Sequence, residues 1–137
     1  MAKQLSPFPP AVAKAARALA AHCVACGIDL RIVSVNLDHA IPDSLTPLAC
    51  DNGVNLADSA NCQILCNHCN GGEVKGSRAV LWSADESRIA TLAAWSRAMG
   101  INLTIATPAK PIALPDALVN KILSARRGAA RQVRCGR

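Results

Sequence analysis

The sequence predicts a small α+β domain built around a structural four-cysteine zinc site and flanked by helices. Three observations predict it. Two Cys-x-x-Cys pairs, Cys23-Val-Ala-Cys26 and Cys66-Asn-His-Cys69, stand 39 residues apart. Helical periodicity lies on either side of them, and short runs rich in β-branched residues lie between and after them. The length of 137 residues argues for one domain with an appended tail. Apolar residues make up 51% of the chain but only Phe8, Trp82 and Trp95 are aromatic, so the core must be assembled from Ala, Leu, Ile and Val.

Residues 1–10 form an extended lead-in, because Pro7, Pro9 and Pro10 remove donors and disfavour helix before them. A body spans residues 11–107. Its first helix is expected from about Pro10 to His22, packing Val12, Ala16, Leu19 and Cys23 while Lys14 and Arg17 face water. Residues 30–37 (LRIVSVNL) read as a strand ending near Asp38-His39. The density of turn formers from Ala40 to Asn61 excludes a long regular element, and Cys62 to Leu65 reads as a second strand. Ser83 and Glu86 form a capping-box pattern before a helix from about Ala84 to Met99, whose Ile89, Leu92, Trp95 and Met99 make one core stripe ending at Gly100. Residues 101–105 suggest a short strand. Residues 108–115, with Pro108, Pro111 and Pro115, read as a linker. A final helix is expected from Asp116 to about Gln132, within a basic segment of residues 116–137.

Seven cysteines cannot all pair within the chain. The Ala-rich stretch 11–21, interrupted by Lys14 and Arg17, lacks the apolar core of a signal peptide and the roughly 20 residues of a membrane span. A cytoplasmic protein with reduced thiols and no membrane association is therefore expected, and there clustered cysteines indicate metal or catalysis. A two-residue gap lets both sulfurs of a pair reach one ion from a tight turn. Two such turns close a tetrahedral zinc site formed by Cys23, Cys26, Cys66 and Cys69. Cys62 reads as a small core residue, and Cys50 and Cys135 as free thiols.

The net charge of +6 is unevenly spread. Lys121, Arg126, Arg127, Arg131, Arg134 and Arg137 oppose a single acid after Pro115, leaving the body nearly neutral. Such a segment suits sequence-independent phosphate contact. No aromatic platform for single strands lies beyond Trp95, so double-stranded DNA is the expected partner.

The insert between the cysteine pairs holds Asp38-His39-Ala-Ile-Pro42 and then Asn61, and Asn70 and Lys75 follow the second pair, Cys66-Asn-His-Cys69. This pattern resembles the HNH endonuclease family over about residues 23–78, and flanking Cys-x-x-Cys pairs occur in many of its phage and mobile-element members. The resemblance implies a ββα-metal core, in which two strands and a helix hold one catalytic divalent ion. It places Asp38 and Asn70 as ligands of that ion, Mg²⁺ or Mn²⁺ and alternatively Ni²⁺ or Zn²⁺. It makes His39 the general base, suited because an imidazole titrates near neutrality. Asn61 becomes the residue that holds the His39 ring in the productive tautomer, and Lys75 and Arg78 neutralise neighbouring phosphates. The implied reaction is phosphodiester hydrolysis leaving 5′-phosphate and 3′-hydroxyl ends.

Asn70 is a weaker ligand than the His found in much of the family, Gly71-Gly72 weakens the helix that should project it, and the loop from His39 to Asn61 is long. Two competing readings follow: a non-catalytic Cys₄ zinc module with a degenerate site that binds DNA or a packaging or regulatory protein, and an interaction module whose tail binds an acidic partner.

Overall fold

The computed structural model describes the backbone of residues 5–135 and the side chains of residues 5–129. Five helices and four strands alternate as α1 (Pro10–Leu19), β1 (Val35–His39), α2 (Thr46–Asp51), β2 (Cys62–Cys66), α3 (Asn67–Asn70), β3 (Val80–Trp82), α4 (Glu86–Met99), β4 (Thr104–Ala106) and α5 (Asp116–Cys135). The mixed helix and strand content is that of an α+β protein. β1 and β2 pair antiparallel, with Asp38 opposite Gln63 and His39 opposite Cys62. β3 and β4 pair parallel, which requires a crossover, and α4 supplies it.

All five residues of β2 are buried, and the strand has an apolar cluster at each end. One cluster gathers Ala40, Ile41, Leu56, Leu81, Leu92 and Met99. The other surrounds Cys23, Cys66 and Cys69 with Leu65, Leu30, Val33 and Trp82. The expected stripe of α4 thus packs, with Leu92 and Met99 buried and Ile89 and Trp95 against them. Gly100 ends the helix in the left-handed region (φ 67°, ψ 32°), where a side chain would be strained.

Four expectations need correction. The first helix stops at Leu19, which is 88% exposed, and none of its residues is buried. Ala20 turns extended because the Ala21 carbonyl accepts from Leu30 N–H and His22 bridges to Asp29, starting the first cysteine turn. The strand expected at 30–37 begins only at Val35, since Leu30 and Val33 pack as a turn against the cysteines and Asp29 accepts from the Arg31 backbone N–H. Asp85, rather than Ser83, caps α4 by accepting from the N–H groups of Ser87 and Arg88, while Ser83 Oγ accepts from Asp85 N–H just ahead of the helix. Finally, residues 108–115 are not a free linker. Ala109 and Ile112 donate to the carbonyls of Val24 and Gly27 at 2.9 and 2.8 Å, so the proline-rich strap lies on the cysteine turn.

The strap delivers α5 to the body. Val119 is buried, Asp116 pairs with Arg31 at 2.8 Å, and the Arg126 guanidinium donates to the Ile32 carbonyl. No helix among the described residues is long and apolar enough to cross a membrane.

Candidate metal centre and catalytic cleft

Two tight turns assemble the four cysteines. In the first, Gly27 N–H donates to the Cys23 carbonyl at 2.8 Å, and Gly27 takes a φ of 82°, open to glycine without strain. Val24 N–H donates to Ile64, tying this turn to β2, which carries Cys66 at its end. In the second, Cys66 Sγ accepts from Cys69 N–H at 3.5 Å as the cap of α3.

The ligating atoms of Cys23, Cys26, Cys66 and Cys69 all lie within 4.8 Å of one another, and the sulfurs of Cys26 and Cys66 are 3.8 Å apart. A tetrahedral ion with metal–sulfur bonds of ~2.3 Å has sulfur–sulfur edges of roughly 3.8 Å, so the set can hold a metal ion such as zinc. Three of the four side chains are buried, and four thiolates leave no coordination position open, which is the pattern of a structural site. Burial pushes the thiols of Cys69 and Cys26 up, reinforced at Cys69 by the adjoining cysteines. At Cys23 burial is outweighed by backbone N–H groups, and the thiol is lowered. Four crowded sulfurs do not ionise together without a cation. His68 is exposed and lies outside the four-sulfur group.

At the far end of β1 a polar cleft of about 390 Å³ opens between this strand, the turn after it and the loop following α3. Asp38, His39, Asn70 and Lys75 all line it, joined by Asp43 and Ser44. Three residues expected to act together, the two candidate ion ligands and the candidate base, are therefore gathered in one place.

Asp38 Oδ2 accepts from Gln63 Nε2 at 2.9 Å and lies 3.4 Å from Lys75 Nζ. Burial pushes the Asp38 carboxyl up against the opposing pull of Gln63 and Lys75, and burial likewise lowers the Lys75 ammonium against the pull of Asp38. Gln63 is absent from the residues that the sequence marks out. Its amide also donates to the Val80 carbonyl and its oxygen accepts from Trp82 N–H, so it links Asp38 to β3. The signal that could have found it is a polar residue inside the wholly buried strand Cys62–Cys66.

His39 is half-buried. Its Nε2 lies 2.5 Å from the Ser6 carbonyl, and its ring stacks on Phe8 with centroids 3.9 Å apart and planes 14° from parallel. Nothing in the composition of the lead-in signals either partner.

Asn61 does not make the contact expected of it. Its fully buried amide accepts from Ile41 N–H and donates to the carbonyls of Ile41 and Leu56, and its backbone carbonyl accepts from Ala40 N–H, so its described hydrogen bonds brace the loop between β1 and β2 and none goes to the His39 ring. Lys75, expected as a phosphate-facing charge, is 1% exposed and donates to the Arg78 carbonyl as well as facing Asp38. Arg78 is exposed but folds back onto the carbonyls of Lys75 and Glu73. On α5, Lys121, Arg126 and Arg127 are exposed, while the side chains of Arg131 and Arg134, and Arg137 and the Cys135 thiol, lie outside those described. Cys62 is buried, as expected of a small core residue, and Cys50 is a free thiol, as expected, and exposed.

In comparisons with known proteins, no family model, no curated protein and no solved structure matches the chain.

Proposed function

We propose that the protein is a divalent-metal-dependent DNA endonuclease of the HNH type, stabilised by a zinc ion on Cys23, Cys26, Cys66 and Cys69. The observation that carries this reading is the polar cleft lined by Asp38, His39 and Asn70 beside the β1–β2 hairpin and the short helix α3. A carboxylate and a carboxamide are hard oxygen donors suited to Mg²⁺ or Mn²⁺, and the described hydrogen bonds engage only Oδ2 of Asp38, leaving Oδ1 for an ion. Such an ion supplies charge neutralisation at a scissile phosphate. His39 takes the proton of the attacking water, and Lys75 holds Asp38 in place. The cations of α5 give a sequence-independent hold on duplex DNA.

A second reading has its own support. The ammonium of Lys75 stands beside the carboxylate that should ligate the ion, and α3 ends after four residues at Gly71, so a non-catalytic zinc module with the same outline also fits.

Plasmid nicking in Mg²⁺, Mn²⁺ or Ni²⁺ separates the two. The nuclease reading expects His39→Ala to lower the rate by about 10² to 10⁴ with DNA binding retained. Equal behaviour of wild type and His39→Ala selects the zinc-module reading.

A further inference from the structure

The general base of the proposed nuclease is the ring of His39, and the ring is held by a segment outside the hairpin. A carbonyl oxygen only accepts, so the nitrogen 2.5 Å from the Ser6 carbonyl, Nε2, carries the hydrogen. A neutral imidazole has one donor and one acceptor nitrogen, which leaves the lone pair on Nδ1. The parallel ring of Phe8 at 3.9 Å keeps the imidazole from turning without breaking the stack.

The segment is itself anchored. The Thr46 hydroxyl donates to the Asp43 carbonyl, so in the 2.7 Å contact between the two hydroxyls Ser6 Oγ is the donor to Thr46. Asp43 lines the same cleft as His39. Pro7 and Pro9 narrow the conformations of the backbone on both sides of Phe8.

We propose that Ser6 and Phe8 are positioning residues of the site: the Ser6 carbonyl and the Phe8 ring hold His39 as the Nε2–H tautomer with Nδ1 as the accepting atom. The inference rests on His39 being the base. Its physical content is that a ring free to exchange tautomers presents its lone pair to water for only part of the time.

Nitrogen-15 NMR of the His39 imidazole, recorded on the full chain above the imidazole titration range, reads the tautomer without any need for turnover. Wild type and Phe8→Tyr are expected to hold the Nε2–H form almost exclusively. Phe8→Ala should show a mixture, with kcat for plasmid nicking lowered roughly tenfold or more and KM for DNA unchanged. Ser6→Ala, which keeps the carbonyl but frees the anchor, should fall between them. Retained zinc content and circular dichroism show that the variants fold. A tautomer distribution in Phe8→Ala identical to wild type overturns the proposal, as does an altered distribution with unchanged kcat. Absence of nicking by wild type in every ion overturns instead the nuclease reading on which it rests.

Discussion

Lys75 Nζ and Asp38 Oδ2 face each other at 3.4 Å with both side chains almost wholly out of solvent, 1% and 9% exposed. Burial works against the charge on each partner, and their mutual attraction opposes it. Removing one partner leaves the other charge buried without compensation. Lys75→Met should therefore lower unfolding free energy by about 3 to 5 kcal/mol, and adding Asp38→Asn should restore a large part of it. Urea denaturation of the two single variants and the double variant measures the coupling. Strict additivity would show that the pair does not act as a unit.

Asn61 offers a separate test of scaffold against chemistry. Its amide satisfies one N–H and two carbonyls of a buried loop. Asn61→Ala should cost about 3 kcal/mol through these unsatisfied groups. Because none of its described hydrogen bonds goes to the His39 ring, nicking per folded molecule should fall less than in His39→Ala. A full loss of activity in a folded Asn61→Ala protein would return a catalytic role to this residue.

The cysteine cluster predicts both a stoichiometry and a pH response. Metal analysis should find about one zinc per chain, and Cys66→Ser should lose it together with cooperative unfolding. Burial pushes the thiols of Cys69 and Cys26 up, so near neutral pH they carry their protons until an ion displaces them. Protons should be released on zinc binding, and affinity should fall as pH falls because protons compete for the sulfurs. A zinc titration in weakly buffered solution reads this directly, and binding without proton release would exclude thiolate ligation.

The basic segment can be tested without disturbing the core. Truncation at Pro115 would remove buried Val119 and the Asp116–Arg31 pair along with the charge. Truncation after Gly128 removes, of the cations, only Arg131, Arg134 and Arg137. If these touch phosphate, the slope of log affinity against log salt should become shallower by about 0.9 for each phosphate that is no longer neutralised. An unchanged slope would assign DNA binding elsewhere.

Local signals make part of this structure legible in the sequence. The cysteine pairs and the stripe of α4 are readable because spacing and helical period act within a few residues. The expectation that Asp38, His39 and Asn70 share one site comes only from the resemblance to the HNH family, and in the fold the pairing of β1 with β2 and the short α3 bring the three to one cleft. What the sequence hides depends on contacts between distant segments. The parallel pairing of Val80–Trp82 with Thr104–Ala106 needs α4 as its crossover, and neither three-residue strand carries a period of its own. Gln63 looks like an interruption of an apolar run because its partners lie on other strands. The start of β1 is obscured for the same reason, as Leu30 and Val33 have strand-like side chains but a cysteine cluster to cover.

Position 27 has a consequence beyond its own turn. A β-carbon built on Gly27 would stand 2.2 Å from the Lys110 carbonyl oxygen, far inside van der Waals contact, and the obstruction is backbone rather than a side chain that can swing away. The strap can reach the cysteine turn only because that carbon is missing. The helix that bears the cations follows this strap and adds its own anchors, the buried Val119 and the pair between Asp116 and Arg31. An alanine at position 27 should therefore displace the strap from the cysteine turn, next to the residues that would hold the metal ion.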